Sequence, residues 1–508
     1  MAITGDRVAE REASVARPEA PDEDGRGRGL RLDVVYTAAF AVLGWTIGVG
    51  RLDDNSFFLH LTTGRLILDR GIPHADPYSF TAHGARWIAQ SWLAEVLYGA
   101  LDRAFGAASI RFLGGVVATA IAALVFRLAL RLVRDRTRAV GLTVAVFGCM
   151  FALWSERPLV LAALAFLALV WIVEVPDSWA GRHALVVVPP LMCVWANVHG
   201  TFLLGFAFLG LHLAGRWLEG HSPSTGRERV LLTAAVAGAL VCLVNPYGPA
   251  LLTFPLGLLS RGAVLAKVVE WKSPDFRTFQ GQVFAVWLVV LLVVLARGRD
   301  RVSRRDLIVT IPFVLLALWA QRNIAVAAFA TLPVAARAFA LPDDAETRER
   351  RADRLPTGRL LVALLALLLV YTSVDVLKGP AFDLNGNPVD AMQAVERSGL
   401  LGRRVAEWNG WGGYVALKYW PRQQLFMDDR FDMYPVPFIQ ETFELQDATP
   451  QWASVLRRTG VEVVVWPTKD PLSQVLEQSA DWMRIHRDPT AVVFVRRDVA
   501  RARHLTAA

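Results

Sequence analysis

Long apolar segments joined by short polar connections constrain this sequence more than any other feature. Of its 508 residues, 54% are hydrophobic, and the mean hydropathy is +0.37, which is not the composition of a soluble protein of this length. Several segments approach or exceed the roughly 20 residues that cross the hydrocarbon core of a bilayer. We predict an α-helical polytopic membrane protein with about eleven transmembrane helices, near residues 33–51, 107–133, 139–154, 159–175, 184–198, 200–217, 230–245, 281–296, 306–320, 323–340 and 359–376.

The placement of the basic residues predicts the orientation in the membrane. The formal net charge is +8, but the arginines lie between the apolar segments and do not form one patch interleaved with aromatic residues, so we expect no nucleic-acid partner. Arginine-rich connections alternate with connections that carry few basic residues, as the positive-inside rule requires. We therefore predict a multi-pass protein of the inner (plasma) membrane, with a cytoplasmic N-terminus and with residues 377–508 outside the cytoplasm.

Composition divides the chain into three parts. Residues 1–32 are charged, rich in Arg, Glu, Pro and Gly and without an apolar stretch, which predicts a disordered cytoplasmic tail. Residues 33–376 form the predicted transmembrane domain, including an outer loop at 52–106. Residues 377–508 alternate short helical and strand patterns, which predicts an extracytoplasmic α/β domain. Its helices are predicted at Val389–Arg397 and Phe438–Leu445, and its strands at Gln424–Met427, Val461–Trp466 and Ala491–Val495.

The outer loop has helical character of its own. Phe57, Phe58 and Leu61 recur at helical spacing beside charged residues, which predicts a helix lying in the membrane interface. A second helix is predicted over Trp87–Ala104. Between them, residues 71–77 contain the Gly and Pro residues of a turn.

Unusual polar residues fall in the connections that this topology places outside. Ionisable groups at membrane depth are costly and usually face a cavity or a partner, so their occurrence on one face predicts a site there. Simpler interpretations stay open: acids can mark a helix end, arginines can extend to the interface, and the remaining segments can be packed turns. The groups are Asp53 and Asp54, Glu156-Arg157-Pro158, Asn197-Val-His199-Gly200, Asn245-Pro-Tyr-Gly248, Glu270-Trp-Lys-Ser-Pro-Asp275 and Gln321-Arg322-Asn323.

These segments, in this order, resemble membrane proteins of the bacterial GT-C glycosyltransferase superfamily. The string Asp54-Asn-Ser-Phe-Phe-Leu-His60-Leu-Thr-Thr-Gly64 resembles the first outer loop of that group, and Trp411-Gly-Gly-Tyr414 and Asp429-Arg-Phe-Asp-Met-Tyr434 resemble its C-terminal motifs. The resemblance implies transfer of a sugar from a polyprenyl-phosphate carrier outside the cytoplasm to a glycan, lipid or protein acceptor of the cell envelope. Ser56 replaces the second acid of the loop pattern. The resemblance leaves a divalent metal open, and no ligand motif in the sequence supports one.

The resemblance also implies roles for individual residues. An inverting transfer needs a carboxylate that accepts a proton from the acceptor hydroxyl, and Asp54 is the candidate, with Asp53, Asp76 and Glu95 as substitutes. Arg157 and Arg322 suit the departing phosphate, since a guanidinium can bind two oxygens. The other residues expected to bind substrate are His60, His199, Asn245, Glu270, Trp411, Tyr414, Asp429 and Arg430.

Two other functions remain as alternatives. A transporter or flippase of lipid-linked saccharides would carry polar groups near the middle of the bilayer and broken helices on both leaflets. A non-catalytic scaffold for envelope assembly would keep the fold without the chemistry, and the Ser56 replacement is the feature that favours it.

Overall fold

The structure is a computed structural model that describes residues 30–151, 154–297, 302–340 and 354–507. The predicted tail at 1–32 lies outside these ranges except for its last three residues. Two of those form strand β1 (Leu30–Arg31), which pairs antiparallel with β2 (Arg354–Leu355).

Helices occupy most of the chain up to residue 378. They are α1 (Leu32–Gly48), α2 (Asn55–Arg70), α3 (Trp92–Phe105), α4 (Ala108–Val133), α5 (Arg136–Cys149), α6 (Pro158–Glu174), α7 (Trp179–Arg182), α8 (Ala184–Val198), α9 (Phe202–Leu218), α10 (Gly226–Val241), α11 (Pro249–Leu259), α12 (Gly262–Leu265), α13 (Phe279–Arg297), α14 (Arg304–Trp319), α15 (Ile324–Ala338) and α16 (Gly358–Lys378). Every predicted membrane segment overlaps one of these helices.

Three helices in the described ranges are long and apolar enough on their own to cross a membrane. They are α4, residues 279–296 of α13, and α16. The helices at the other eight predicted segments contain 14 to 17 residues. At 1.5 Å per residue such helices reach at most about 26 Å, short of the roughly 30 Å hydrocarbon core. The count of eleven crossings therefore stays a prediction.

Small residues allow close approach of the first helix of this bundle to α4. A Cβ on Gly44 or Gly48 would overlap backbone atoms of Ala118 or Gly114 on α4. Small residues at a crossing bring helix backbones together, which is how helices pack where no water drives them together. Large side chains of α4, α6, α8 and α15 then fill the bundle interior, where Phe126, Phe166 and Phe329 are fully buried.

The chain after residue 378 forms a small mixed sheet with short helices around it. The helices are α17 (Val389–Arg397), α18 (Gly412–Tyr419), α19 (Val436–Gln446), α20 (Trp452–Arg458), α21 (Pro471–Gln478) and α22 (Arg497–Ala502). The strands are β3 (Val405–Glu407), β4 (Val463–Pro467), β5 (Trp482–Arg487) and β6 (Ala491–Arg496), in the spatial order β3-β4-β6-β5. Only the β3–β4 pair is parallel. The strand predicted over Gln424–Met427 is wrong: the segment makes one isolated bridge, between Leu425 and Ser79.

The loop at 52–106 packs with the C-terminal region and does not lie as a free helix in the interface. Phe57, Phe58 and Leu61 of α2 are fully buried and share one hydrophobic core with residues of the C-terminal sheet. The second loop helix begins at Trp92 and not at Trp87, because the chain at 85–87 is extended and bonds back to residues 74–76. The loop is therefore held between the helix bundle and the C-terminal region.

A buried ionic cluster lies at the end of the helix bundle away from the 52–106 loop, which we call the far end. Glu174 at the end of α6 and Asp306 at the start of α14 both accept from Arg337 of α15, each at 2.5 Å. Arg305 lies 2.9 Å from Asp306 and 3.5 Å from Glu174. The cluster thus joins three helices where they leave the apolar core.

Candidate functional site

A cavity of about 310 Å³ lies at the near end of the bundle, where helix ends meet the 52–106 loop and the C-terminal region. The start of α6, the end of α8 and the turns before α13 and α15 line one side. The loop and the segment after Met427 line the other. The polar residues around it are Ser56, His60, Thr63, Gln90, Ser91, Glu95, Arg157, His199, Glu270, Arg322, Asp429, Arg430 and Asp432. Polar groups predicted from connections far apart in the sequence therefore converge.

Arg157 links two carboxylates from different parts of the chain. It lies directly before α6, and its Nε donates to Asp54 Oδ2 at 2.7 Å while its Nη1 pairs with Glu270. Arg322 lies 3.9 Å from the second oxygen of Glu270 and stacks over Trp271, 4.6 Å from the ring centre. Burial opposes ionisation of Glu270, but the two arginines outweigh it and lower its pKa. Arg157 and Arg322 therefore bring positive charge to one wall of the cavity.

Asp54 supports this wall without lining the cavity. Its Oδ1 accepts from the backbone N–H of Phe57 at 3.1 Å and so caps the N-terminus of α2, and its Oδ2 accepts from Arg157. Asp53 is exposed beside it. Asp54 thus holds the Arg157 side chain in place, while other carboxylates line the cavity.

The replacement at position 56 has a structural counterpart. The Ser56 hydroxyl hydrogen-bonds the carboxylate of Asp429, which lines the cavity. Burial raises the pKa of Asp429, and the neighbouring Asp428 adds to the effect. A carboxylate from the C-terminal region thus lies beside Ser56, the position at which the loop pattern that this sequence resembles has a second acid.

His60 and Glu95 form a second hydrogen-bonded pair at the cavity. His60 Nδ1 lies 2.8 Å from Glu95 Oε1, and Glu95 is 2% exposed. Their helices cross through Gly64 and Gly99, where a Cβ on either glycine would overlap the backbone of the other helix. Gly64 follows His60 by one turn, and Gly99 follows Glu95 by one turn. The close crossing therefore sets the distance between the two side chains.

His199 presents a neutral imidazole to the cavity. Its Nδ1 accepts from the backbone N–H of Thr201 at 3.2 Å. Burial, followed by the positive charge of Arg322, His60 and Arg157, lowers its pKa to about 3. The ring is therefore suited to hydrogen bonding and not to carrying charge.

Arg430 and Asp76 join the C-terminal region to the loop. Arg430 bonds Asp428 at 2.6 and 2.8 Å and Asp76 at 2.7 Å, and it stacks over Trp87 at 4.4 Å. Asp76 also accepts from the backbone N–H groups of Tyr78 and Ser79. Asp76 is 2% exposed and fully engaged in these bonds, so its contacts are those of a positioning residue.

Besides Asp53, Asp54 and Asp76, three other residues expected at the site do not line the cavity. Trp411 is buried and donates to Gly386 O, and Tyr414 is buried near Asn55, whose Oδ1 accepts from the Tyr414 backbone N–H. Asn245 bonds the backbone of residues 242, 247 and 248 within its own turn. The Trp-Gly-Gly-Tyr segment thus docks the C-terminal region onto α2, and the Asn-Pro-Tyr-Gly segment shapes a turn.

Sequence reasoning missed Gln90 and Ser91, which also line the cavity. Gln90 accepts from the Gly200 backbone N–H at 3.2 Å, and Ser91 precedes α3 with its hydroxyl buried. Neither belongs to a charged or turn-rich segment. Only the fold places them at the cavity.

The residues do not form an evident metal centre. Among the described residues, no group of three or more His, Cys, Asp or Glu side chains is placed to share a cation. Asp54 and Glu270 are bridged by Arg157, so the cationic position between these two carboxylates is taken by a guanidinium.

Comparison with known proteins supports the fold. No family model and no curated protein sequence matches the chain. Among solved structures, it is similar to the archaeal oligosaccharyltransferase AglB from Archaeoglobus fulgidus, determined in complex with an inhibitory peptide and a dolichol-phosphate. The TM-score is 0.54 at 12% identity, and the likeness covers 90% of this chain and 74% of that one. The chain therefore shares the overall fold of this structure. Three described helices are long and apolar enough to cross a membrane, and with the shared fold they indicate a membrane protein.

Proposed function

We propose that this protein transfers a sugar from a polyprenyl-phosphate carrier to a glycan, lipid or protein acceptor. The observation that carries the proposal is the near-end cavity, where three arginines and several carboxylates meet beside the ends of apolar helices. The AglB structure, with its dolichol-phosphate, supports a lipid-linked donor for a fold of this kind. In our proposal the helices number about eleven in the membrane, and the cavity faces the outer side of the inner membrane.

Arg157 and Arg322 are proposed to bind the phosphate of the carrier. Both line the cavity, and Glu270 lies between them. A guanidinium can donate two parallel hydrogen bonds to phosphate oxygens, which stabilises the charge that develops as the phosphate departs. The apolar helix surface beside the cavity would hold the polyprenyl chain.

Asp429 is proposed as the general base. Burial raises its pKa, and it lines the cavity while Ser56 orients one of its oxygens. In the transfer, the acceptor hydroxyl oxygen bonds to C1 of the sugar and its proton passes to Asp429. The bond from C1 to the phosphate oxygen breaks, and its electron pair leaves with the polyprenyl phosphate.

Cleavage of defined donors tests the proposal. Purified protein in nanodiscs is given polyprenyl-phosphate-linked hexose or pentose, and release of polyprenyl phosphate is measured with and without candidate acceptors. We expect release by the wild type and a loss in kcat of about 100-fold or more for Asp429→Asn, the usual size of a general-base effect. Asp481→Asn, at an exposed turn, is the control and should match the wild type.

Two results would count against this function. Release no faster than in protein-free nanodiscs, with donor shown to bind, would favour the non-catalytic scaffold. Wild-type release by Asp429→Asn would remove Asp429 as the base.

A further inference from the structure

Three buried polar atoms at one cavity lack a hydrogen-bond partner within the protein. They are the hydroxyl of Ser91, Oε2 of Glu95 and Nη1 of Arg430. Their residues are 1%, 2% and 7% exposed, and all three line the near-end cavity. A buried polar group without a hydrogen-bond partner destabilises a folded protein, so such groups are rare in native structures.

The three groups are placed to act together. Ser91 and Glu95 are four residues apart at the start of α3, which puts them on one face of that helix. The other carboxylate oxygen of Glu95 is held by His60, and the other nitrogens of Arg430 are held by Asp428 and Asp76. The free atoms are therefore fixed in direction by the bonds that their own side chains already make.

The chemistry of this wall matches hydroxyl groups better than a phosphate. It offers a carboxylate that accepts, a guanidinium N–H that donates and a hydroxyl that does both. Asp429 and Asp432 also line the cavity, and their negative charge disfavours an anion. Trp87 adds an aromatic surface to the lining, which suits the C–H face of a sugar ring.

We infer that Ser91, Glu95 and Arg430 form a subsite that binds hydroxyl groups of the sugar on the lipid-linked donor. The inference rests on the proposed function, in which Arg157 and Arg322 take the phosphate of the same molecule. It assigns selection among sugars to this wall, since a site built to hydrogen-bond a hydroxyl discriminates strongly against a ligand that lacks it.

A binding experiment without turnover tests the subsite. The dissociation constants of polyprenyl-phosphate hexose and of bare polyprenyl phosphate are measured on the full chain in nanodiscs. The wild type should prefer the sugar-bearing lipid. Ser91→Ala should reduce that preference about 5-fold and Glu95→Gln about 10-fold, the sizes expected for a neutral and a charge-assisted hydrogen bond. Both should bind bare polyprenyl phosphate as the wild type does.

The chain supplies a matched control. Thr310 of α14 also has a buried hydroxyl without a partner, and it does not line the cavity. Thr310→Val should leave both dissociation constants unchanged. Because the Ser91 hydroxyl makes no bond within the protein, Ser91→Ala should keep the melting temperature of the wild type, which separates lost recognition from lost folding.

The outcomes distinguish the subsite from the proposed function. Unchanged preference in both Ser91→Ala and Glu95→Gln, or equal weakening of both lipids, overturns the subsite. A preference that falls as expected without any donor cleavage by the wild type supports the subsite and overturns the transferase. A wild type that binds the two lipids equally overturns the subsite while leaving donor cleavage to decide the function.

Discussion

Arg157 is the residue on which the charge balance of the cavity depends. Its guanidinium bonds Asp54 of the loop and Glu270 of a later connection, and it lies beside Pro158 at the start of α6. Removing it leaves two carboxylates without their shared counter-charge. A residue with this position affects both the local structure and any anionic group that enters the cavity.

We predict that Arg157→Ala lowers kcat/KM for donor cleavage by about 100-fold or more, the usual effect of removing one donor that stabilises developing charge. Arg157→Lys keeps the positive charge but loses the planar guanidinium, so its kcat/KM should lie between those of the wild type and Arg157→Ala. Arg103→Ala, which breaks an exposed pair with Asp69, is the matched control. A loss below about 10-fold in Arg157→Ala would argue against a phosphate-binding role.

The neighbouring Glu156 makes stability depend on pH. Burial, followed by the charges of Asp53 and Asp54, raises its pKa to about 8. Between about pH 4.5 and 8, the Glu156 carboxyl is deprotonated in the unfolded chain but protonated in the folded chain. Its contribution to the free energy of unfolding is therefore complete below about pH 4.5 and is lost as the pH rises to about 8.

Glu156→Gln should therefore raise the melting temperature relative to the wild type at pH 8 and leave it nearly unchanged at pH 4.5. Thermal unfolding of both proteins across this range measures the difference. If the difference in melting temperature between the two proteins stays constant with pH, Glu156 has the same pKa in the folded protein as in the unfolded chain.

The charged residues of the site could be predicted from the sequence, but the contacts that each of them makes could not. Arg157, Glu270 and Arg322 were expected from polar connections at helix ends, and they do meet. Asp54 was expected as the base and Asp76 as a substitute, and the structure shows both bonded to backbone N–H groups and to an arginine. Such bonds depend on which distant groups the fold supplies, and no local pattern records them.

At the scale of elements, the crossing of α2 and α3 determines the wall that holds His60 and Glu95. Gly64 and Gly99 lie at the contact, and each would overlap the opposite backbone if it carried a Cβ. Backbone cannot move aside as a flexible side chain can. The distance between the two helices is therefore fixed by the absence of side chains at these two positions.

Gly64→Ala should destabilise the protein by at least about 1–3 kcal/mol, because the added methyl group forces the helices apart. Gly141→Ala in α5 is the matched control: a Cβ there meets nothing, and alanine should stabilise the helix by about 0.5–1 kcal/mol. Unfolding in detergent compares them. Equal stability of the two variants would contradict the close crossing.

Helices and strands with a continuous apolar pattern could be predicted from the sequence. Segments whose conformation depends on contacts with distant parts of the chain could not. The helix at Gly358–Lys378 and the strand at Ala491–Arg496 follow from their own residues. The segment 424–427 has strand composition, but it lies against the loop at Ser79 and joins no ladder. Trp87 is kept out of α3 in the same way, by a backbone bond from its N–H to His74 O.

At the scale of the whole molecule, ion pairs connect the helices of the bundle at both of its ends. The near end carries the cavity, and the far end carries the cluster of Glu174, Arg305, Asp306 and Arg337. The side chains of Glu174 and Asp306 are 6% and 3% exposed, so the two carboxylates of the cluster are shielded from water. The far-end cluster should therefore matter for stability and not for catalysis.

We expect Glu174→Gln to destabilise the protein by about 3–5 kcal/mol, since it removes one carboxylate from a buried ionic cluster and leaves Asp306 to balance both Arg305 and Arg337. Asp177→Asn breaks an exposed pair with Arg131 at the same end and should cost no more than about 1 kcal/mol. Chemical unfolding in detergent measures both. A cost below about 1 kcal/mol for Glu174→Gln would mean that the cluster is solvated.

The burial of the loop against the C-terminal region imposes an order on biosynthesis. Phe58 packs on Phe382, and Asn55 accepts from the backbone of Tyr414, 359 positions later. A ribosome making this chain releases the aromatic residues of the loop long before their covering segments exist. The cavity between the loop and the C-terminal region therefore becomes complete only as translation ends.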